Sequence, residues 1–439
     1  MILPETEAKA ILEKVISYST ADEVVATLSG GSGALSRFAN NAITQNVDQR
    51  NITLNVNLAF GKREGSSTTN KFDEKSLKGV VRSAESIAKL LPSNPEHVPP
   101  LPPQKYQKIE AYFPETAEFG PMSRAKEILK VIQACDQKEL ITSGTLSNGD
   151  GFISIANSKG LFGYHKSTDC SFSVTVRTQN HAGSGRAQQS NERKIGELTP
   201  PQLAAEAIRT AEMSRNPHPK EPGDYTVILK PTAMMELFYY LLYGFDARAA
   251  DEGRSFLSDR KTGGNKLGQK VFGENITIRS AAAHPKLLGN PFGADGLPAK
   301  EITWVESGVV KNLMYSRHWA AKKGKEPTGF VMNFLTEGGD YTLEELIKDT
   351  EKGILVSSFW YIRMVDPNTL LCTGLTRDGT FWVEKGKVQY PINNFRFNES
   401  PVVLLNNIEK MTKPQKVGFG LLPGVKAGNF TFSSVSEAV

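Results

Sequence analysis

The histidines are the first residues to test for metal chemistry. A catalytic zinc ion is usually held by two histidines about one helical turn apart and by a third ligand elsewhere. Here the closest two, His165 and His181, are sixteen residues apart, so the spacing disfavours a local zinc site. Folding could still assemble a non-standard site, for which His284 and His318 with Asp295 are one combination. The full set is His97, His165, His181, His218, His284 and His318.

Nucleophilic chemistry has equally little support in the sequence. No Gly-x-Ser-x-Gly elbow is present. The three cysteines, Cys135, Cys170 and Cys372, are far apart and form no Cys-x-x-Cys pair, which disfavours a disulfide scaffold and fits a reducing compartment. Cys170 and Cys372 fall in strand-like stretches, where a buried free thiol is the common case. The N-terminal stretch 1–17 carries acidic residues and no continuous apolar run, so we expect no signal peptide and a cytoplasmic location.

One polar stretch near the C-terminus could hold an acid and a base. Residues 374–381, GLTRDGTF, contain Arg377 and Asp378. The pair Asp378 and Gly379 is also typical of a tight hairpin turn between two strands, and this is the simpler prediction.

A second polar stretch follows at 393–400, NNFRFNES, where Asn394 and Arg396 stand among aromatic residues. An arginine in such a setting can hydrogen-bond to an extended backbone or to a carboxylate. It can equally brace two loops. Both interpretations stay open at the level of sequence.

The most apolar segment runs from Met234 to Phe245, and its only charged residue is Glu236. It is followed by a polar stretch that contains Arg248. About twenty apolar residues are needed to cross roughly 30 Å of hydrocarbon, so these twelve are too few for a membrane span. The segment therefore predicts a buried helix.

The charge distribution disfavours nucleic-acid binding. The net charge is +5 with an isoelectric point near 8.8, spread over 439 residues. The densest basic group, AAKKGKEP at 320–327, is short and predicts a solvated turn. No basic stripe or DNA-reading motif is present.

Hydrophobic periodicity predicts the elements that must position these residues. In the first half, apolar residues at helical spacing predict helices over 5–19, 73–91, 123–137 and 200–216. The apolar side of the second helix contains Leu77, Val80, Val81, Ala84 and Ile87. Alternating residues predict strands over 22–70 and 139–190, with a turn at 30–33, Gly-Gly-Ser-Gly. The proline-rich residues 92–104 predict an ordered, extended crossing of the surface.

The second half is predicted to be strand-rich. Tight turns at 306–308, 377–379 and 385–387 predict antiparallel hairpins. Helices are predicted only at 234–242, 342–348 and 402–411. The Pro-rich break at 217–225 suggests two domains, an N-terminal mixed α/β domain at 1–220 and a C-terminal strand-rich antiparallel, barrel-like domain at 221–439. The expected fold class is α+β.

Three stretches together resemble the TldD/TldE family, whose TldE branch is also called PmbA and carries the label "modulator of DNA gyrase". They are residues 36–90, with the pattern Arg-x-x-x-Asn-x-Ile-x-Gln, residues 290–324, and residues 374–411, GLTRDGTFWVEKGKVQYPINNFRFNESPVVLLNNIEKM. The three stretches stand in the family's order and extend over most of the chain.

The resemblance implies an interpretation of the apolar helix. In the TldD branch a His-Glu-x-x-x-His helix binds zinc shortly after the domain boundary. Residues 232–256 occupy the equivalent place here, and they keep Glu236 but contain no histidine. The resemblance therefore implies a non-catalytic subunit that holds no metal and no other cofactor and works with a zinc-bearing TldD-like paralogue. It also implies a dimer, either of two copies of this chain or of this chain with another.

The resemblance also implies an unfolded, extended peptide as the ligand. The candidate peptide-binding residues are Arg248, Arg377, Asp378, Asn394 and Arg396. Two alternatives remain: a peptidase acting alone through a non-standard metal site, and a non-enzymatic modulator of DNA gyrase or of a toxin–antitoxin system.

Overall fold

The computed structural model describes residues 2–179, 182–329 and 333–436. Within these ranges the chain forms ten α-helices, one 3-10 helix (Ile195–Glu197) and nineteen β-strands. The helices are α1 (Glu5–Ser17), α2 (Glu74–Leu90), α3 (Pro114–Ala117), α4 (Pro121–Asp136), α5 (Pro200–Met213), α6 (Pro231–Tyr243), α7 (Ala247–Asp251), α8 (Arg317–Lys323), α9 (Leu343–Lys348) and α10 (Pro401–Asn406).

The strands fall into three sheets. In chain order they are β1 (Glu23–Ala39), β2 (Ala42–Phe60), β3 (Arg63–Thr69), β4 (Leu140–Asn157), β5 (Phe162–Thr178), β6 (Ser184–Glu192), β7 (Gly223–Leu229), β8 (Ile278–Ser280), β9 (Ile302–Glu306), β10 (Val309–Val310), β11 (Phe334–Thr336), β12 (Lys352–Asp366), β13 (Leu371–Glu384), β14 (Lys387–Pro391), β15 (Asn394–Glu399), β16 (Ile408–Met411), β17 (Gln415–Val417), β18 (Gly420–Leu422) and β19 (Val425–Ser436).

The first sheet is antiparallel throughout, with the order β3-β2-β1-β4-β5-β6. Its long strands follow from alternating side chains: in β1, Val24, Ala26 and Leu28 are buried and their neighbours are less so. α1 and α2 cover one part of the buried face, and α4 and α5 cover another, which produces two separate hydrophobic clusters. The amphipathic helices predicted for this half are therefore confirmed.

α2 departs from the prediction at one residue. The Asp73 side chain caps the helix by accepting the Ser76 backbone N–H at 3.0 Å. Four of the five apolar residues predicted to face the core are buried, but Ile87 is 39% exposed. It borders a cavity of about 450 Å³ between α2, the first sheet and residues 97–100.

The prediction of a turn at 30–33 is wrong. These residues lie inside β1, which pairs without interruption with β2 and β4 along this stretch. A Cβ atom on Gly31 would sit 2.0 Å from the Asp150 carbonyl oxygen, and one on Gly30 would sit 2.4 Å from that of Asn51. The glycines therefore allow neighbouring backbones to approach closely within the sheet.

The second half is built around a closed, barrel-like sheet of five strands. These strands follow the order β12-β7-β19-β15-β13, and β13 pairs with β12 to close the ring. Its aromatic core contains five phenylalanines, each of which has at least one other ring of the group at a centroid distance of 4.6–5.8 Å: Phe359, Phe395, Phe397, Phe430 and Phe432. The expected α+β fold with a barrel-like C-terminal part is confirmed.

α6 packs between the barrel and a third sheet, whose strand order is β10-β9-β8-β11-β18-β17. The Phe238 ring on α6 meets that of Phe334 on β11 at 6.0 Å. Most of the helix is buried, as predicted for the apolar segment. None of the described helices combines the length and the apolar character needed to cross a membrane.

Other elements of the second half were predicted with mixed success. The hairpin turns at 306–308 and 385–387 are confirmed, since they join β9 to β10 and β13 to β14. The helix predicted at 402–411 ends at Asn406, and its remaining residues form β16. α7 and α8 were not predicted. The turn predicted at 320–327 is correct only in part, because residues 320–323 form the last turn of α8. The helix ends at Gly324, which has φ of 61°.

Buried charges join the two halves at the end of β6. The Glu192 carboxylate lies 2.6 Å from Lys416 Nζ, and both side chains are largely buried. The next residue, Arg193, is buried as well and donates only to backbone oxygens. These acceptors come from both halves of the chain: the carbonyls of Glu110, His284 and Leu287.

Residues 92–106, which we call the strap, cross the surface without regular structure. The His97 ring lies between two carboxylates, with Nε2 2.8 Å from Glu23 and Nδ1 2.5 Å from Glu64. This ties the strap to the first sheet. Two further pairs tie it to the second half: the Tyr106 hydroxyl donates to the Gly296 carbonyl at 2.8 Å, and Glu96 pairs with Arg248 at 2.9 Å.

All three cysteines are buried free thiols, as predicted for Cys170 and Cys372. Burial raises the pKa of Cys135 and of Cys372 to about 11 and that of Cys170 to about 12. At neutral pH each thiol is therefore protonated and a poor nucleophile.

The close approach of strands at Gly31 predicts a position-specific effect. We expect Gly31→Ala to lower the free energy of unfolding by about 2 kcal/mol, because the added Cβ overlaps a backbone oxygen of β4. Gly33→Ala is the matched control in the same strand, since its Cβ would meet nothing within 4 Å. Urea unfolding followed by circular dichroism measures both, and equal losses for the two variants would contradict the role given to Gly31.

The junction at Arg193 predicts a second effect on stability. Arg193→Met removes this donor from three carbonyl groups, of which that of Leu287 is buried, so we expect a loss of about 2 kcal/mol. Arg209→Met replaces an exposed arginine of α5 and serves as the control. The midpoint of urea unfolding should fall for the first variant and stay near that of the parent chain for the second. Similar midpoints for both would show that Arg193 does not hold the junction.

Candidate functional site

Two β-bulges in the β12–β13 pair organise the candidate site. In the first, Asp378 and Gly379 of β13 together oppose Ser357 of β12. Asp378 has φ of 53° and Gly379 has φ of 116°. The hairpin turn predicted at 374–381 is therefore wrong, because this stretch lies inside β13. The Asp-Gly pair supplies positive φ angles for a bulge instead of a turn.

The second bulge lies in β12. This strand advances three residues, from Trp360 to Arg363, while its partner advances two, from Leu375 to Thr373. Tyr361 takes φ of 53° within the bulge. As a result, two consecutive aromatic residues are exposed, Trp360 to 43% and Tyr361 to 57%. In a regular strand they would point to opposite faces.

Glu236 of α6 lies beside these bulges. Its carboxyl group accepts the Phe359 backbone N–H at 2.5 Å. Loss of hydration on burial is the main cause that raises the pKa of Glu236 to about 8, and the charge of Asp378 raises it further. The Phe359 N–H and the charge of Arg186 act in the opposite direction. At neutral pH this side chain is therefore mainly protonated and can donate as well as accept a hydrogen bond.

Asp378 connects the barrel to the first sheet. The first bulge aims its buried carboxylate at β6, where the Ser184 hydroxyl donates to it. Arg377 Nε lies 3.8 Å from the same carboxylate, and the Arg377 guanidinium stacks over the Trp360 ring at 4.3 Å. The site is therefore a continuous set of contacts from β6 through both bulges to the surface.

The zinc helix implied by the resemblance does not fit the side chains of α6. When the His-Glu-x-x-x-His pattern is aligned on Glu236, the two histidine positions are Met235 and Tyr240. Met235 is a buried thioether, and the Tyr240 hydroxyl donates to the Ile362 carbonyl at 2.6 Å. Neither group is a zinc ligand in this form. Among the described residues, no three His, Cys, Asp or Glu side chains form a group that could hold a metal ion.

The alternative metal combination is not assembled in the described part of the chain either. His284 Nδ1 accepts the Lys286 backbone N–H at 3.3 Å. Asp295 accepts the Leu297 N–H at 3.0 Å instead of meeting His284 and His318. His181 lies outside the described residues.

The five predicted peptide-binding residues have different surroundings. Arg377 and Asp378 belong to the site described above. Arg248 lies elsewhere, between Glu96 of the strap and Glu252 at 3.0 Å.

The other two predicted residues lie on β15. The Asn394 side-chain oxygen accepts the hydroxyl groups of Thr376 at 3.1 Å and Thr380 at 2.9 Å, so it holds β15 against β13. Arg396 is exposed on the barrel surface. Its pairing partner on β13 is Leu375, which also pairs with Trp360.

Sequence reasoning missed four residues of the site: Ser184, Tyr240, Trp360 and Tyr361. The run Phe-Trp-Tyr at 359–361 is the only local signal for the last two, and it is also typical of a buried strand. Ser184 reaches Asp378 across 194 positions, which local patterns cannot indicate.

Comparisons with known proteins point to one family. A family model described as the PmbA/TldA metallopeptidase C-terminal domain matches residues 222–434, and one described as the central domain matches residues 99–215. Metalloprotease PmbA of Escherichia coli O157:H7 is 23% identical, over 97% of this chain and 98% of its own length.

Solved structures show the same fold. TldE from Thermococcus kodakarensis has a TM-score of 0.87 and 18% identity, and the match covers 97% of this chain and 99% of that one. A Thermotoga maritima protein described as a candidate modulator of a DNA gyrase has a TM-score of 0.87 and 18% identity, with 97% and 100% covered.

The shifted pKa of Glu236 predicts a pH-dependent effect on stability. Between its ordinary value of 4.5 and about 8, the folded chain keeps a proton that the unfolded chain has lost. Stability from this group therefore falls as pH rises through that window. Glu236→Gln keeps an acceptor for the Phe359 N–H and removes the titration. We therefore expect the free energy of unfolding of the variant, relative to that of the parent chain, to increase with rising pH by up to about 1.4 kcal/mol per pH unit.

Urea unfolding at several pH values between 4.5 and 8 measures this effect. Glu344→Gln, which replaces an exposed carboxyl group of α9, is the control. If the parent chain and Glu236→Gln showed the same pH dependence, the buried carboxyl group would not carry the assigned proton.

Proposed function

Because the chain belongs to the PmbA/TldD metallopeptidase family, we propose that it is the metal-free, TldE-like subunit of a two-component peptidase. In this proposal a zinc-bearing paralogue of the TldD branch supplies hydrolysis. This chain binds the unfolded peptide and completes the chamber in which it is cut. The complex is a heterodimer that works in the cytoplasm.

One observation carries the proposal. α6 keeps Glu236 of the zinc helix, while Met235 and Tyr240 stand at its two histidine positions. A thioether packed beside glycines and a phenol bonded to a backbone carbonyl bind other parts of the protein instead of a zinc ion. This supports a chain that retains the family's architecture and depends on a partner for the metal chemistry.

The proposed role of this chain's own residues is to bind and orient the peptide. β6 is the last strand of the first sheet, so one of its edges has no strand partner within the described residues. An extended peptide can pair with such an edge through backbone hydrogen bonds, which makes little demand on its sequence. Arg377 lies close to β6, since the neighbouring Asp378 accepts the Ser184 hydroxyl of that strand, and with the stacked Trp360 it offers contacts for peptide side chains.

The proposal is tested by metal analysis and reconstitution. We expect the purified, untagged chain to contain almost no zinc after dialysis. When it is co-expressed with a family paralogue that carries His-Glu-x-x-x-His, we expect a stable complex with about one zinc per heterodimer. Hydrolysis of an unfolded peptide should require both chains.

The control is a complex whose partner has its motif histidines changed to alanine. This complex should form and bind peptide but not cut it. About one zinc per chain in the isolated protein, together with peptide hydrolysis in the absence of the partner, would overturn the proposal and favour a peptidase that acts alone.

A further inference from the structure

The outer surface of the barrel carries a group of arginine and aromatic side chains that we call the Arg–aromatic face: Trp360, Tyr361, Arg363, Arg377 and Arg396. Strand register places them together. Trp360 and Arg396 pair with Leu375 from opposite sides, and directly paired residues share a face. Arg377 follows Leu375 by two positions and therefore points the same way.

The aromatic rings hold two of these arginines in place. The Arg377 guanidinium lies 4.3 Å from the Trp360 ring centroid, and that of Arg363 lies 4.2 Å from the Tyr361 centroid. A guanidinium that stacks on a ring keeps its N–H groups at its edge, where they remain available to a planar acceptor such as a carboxylate. The stacking therefore orients both guanidinium groups before any ligand arrives. Arg363 Nη1 also donates to the Ile362 carbonyl at 2.8 Å, which fixes this side chain further and leaves its other N–H groups for a ligand.

The face has an excess of positive charge. Within the described residues, neither Arg363 nor Arg396 has a carboxylate within 4.0 Å. Arg377 has one, Asp378, but this carboxylate is buried and also accepts the Ser184 hydroxyl. Three guanidinium groups thus share one buried acid, and the complementary ligand is anionic.

The backbone conformation of Tyr361 indicates that the Arg–aromatic face serves binding and not the stability of the fold. Tyr361 is not glycine, yet it holds φ of 53°, a conformation that costs free energy for such a residue. The result is two adjacent aromatic side chains in solvent, which contributes little to the core. Exposed Trp, Tyr and Arg side chains in one patch are typical of the residues that dominate protein–protein contacts.

We propose that the Arg–aromatic face selects acidic peptides, with the Asp or Glu side chains of an extended peptide bound to Arg363, Arg377 and Arg396. This rests on the proposed peptide-binding function and gives it a substrate class. Arg396 pairs with Leu375, so Arg377 is its diagonal neighbour on the adjacent strand, about 7–8 Å away. Carboxylates two positions apart on an extended peptide, about 7 Å along the chain, can reach both.

A peptide fits the face better than a nucleic acid does. A phosphate backbone is usually followed by lysines and arginines spread along a path, whereas this face holds three arginines close together and no lysine. One side of the Trp360 and Tyr361 rings is already covered by an arginine, which leaves less ring surface for base stacking.

Fluorescence anisotropy with the full-length chain tests the proposal. Three dye-labelled peptides of equal length and without stable structure carry Asp and Glu, the matching Asn and Gln, or Lys at the same positions. At low ionic strength we expect the acidic peptide to bind about tenfold more tightly than the amide peptide. The lysine peptide should bind most weakly.

The double variant Arg363→Gln and Arg396→Gln removes two exposed charges and should reduce the acidic preference to about the level of the amide peptide. Arg209→Gln, on the exposed side of α5, is the control for the loss of an arginine. Circular dichroism checks that each variant is folded.

Each remaining outcome decides a different question. Equal binding of the acidic and amide peptides would overturn the acidic selectivity and leave the proposed function standing. Failure of all three peptides to bind would count against the proposed function itself. A single-stranded oligonucleotide that displaces the acidic peptide, with the same dependence on Arg363 and Arg396, would make the face a nucleic-acid site and overturn this inference.

Discussion

The pairing of β12 with β13 is the constraint on which the second half of the molecule depends. It closes the five-strand sheet, so neither strand remains an edge. It also contains both bulges, whose registers cannot shift because β12 is held by β7 and β13 is held by β15. A slip of one residue would turn every side chain to the other face. The same register between β12 and β13 thus both closes the barrel and places the site residues.

α6, the helix beside this pair, holds β12 in its bulged conformation through two hydrogen bonds. Tyr240 donates to the Ile362 carbonyl, immediately after the left-handed residue of the bulge at Tyr361. The helix therefore supports the strand conformation that exposes Trp360. On the same helix Glu236 binds the Phe359 N–H, one residue before Trp360. Two contacts from α6 thus frame the exposed aromatic pair.

Local sequence patterns predicted the long helices of the first half well because amphipathic periodicity is a local property, and α2 differs from its prediction only at Ile87. The short helices α7 and α8 have too few residues to show that periodicity and were not predicted. The errors at 30–33 and 374–381 share a cause. Glycine and Asp-Gly serve turns, bulges and close contacts between strands alike, and only the partner strand decides among them. For Gly31 that strand is β4, far away in the chain, whose Asp150 carbonyl leaves no room for a side chain. The exposed Trp360 and Tyr361 were missed because a period of two places neighbouring side chains on opposite faces, and a bulge breaks that rule.

The burial of all three thiols has a practical consequence for observing the molecule in motion. Because Cys135, Cys170 and Cys372 are enclosed and protonated at neutral pH, maleimide reagents should leave them unmodified in the folded chain. A new cysteine on the strap and another on the barrel could then carry a pair of dyes without removal of the native ones. The separation between the strap and the barrel could then be measured in single molecules, with and without added peptide.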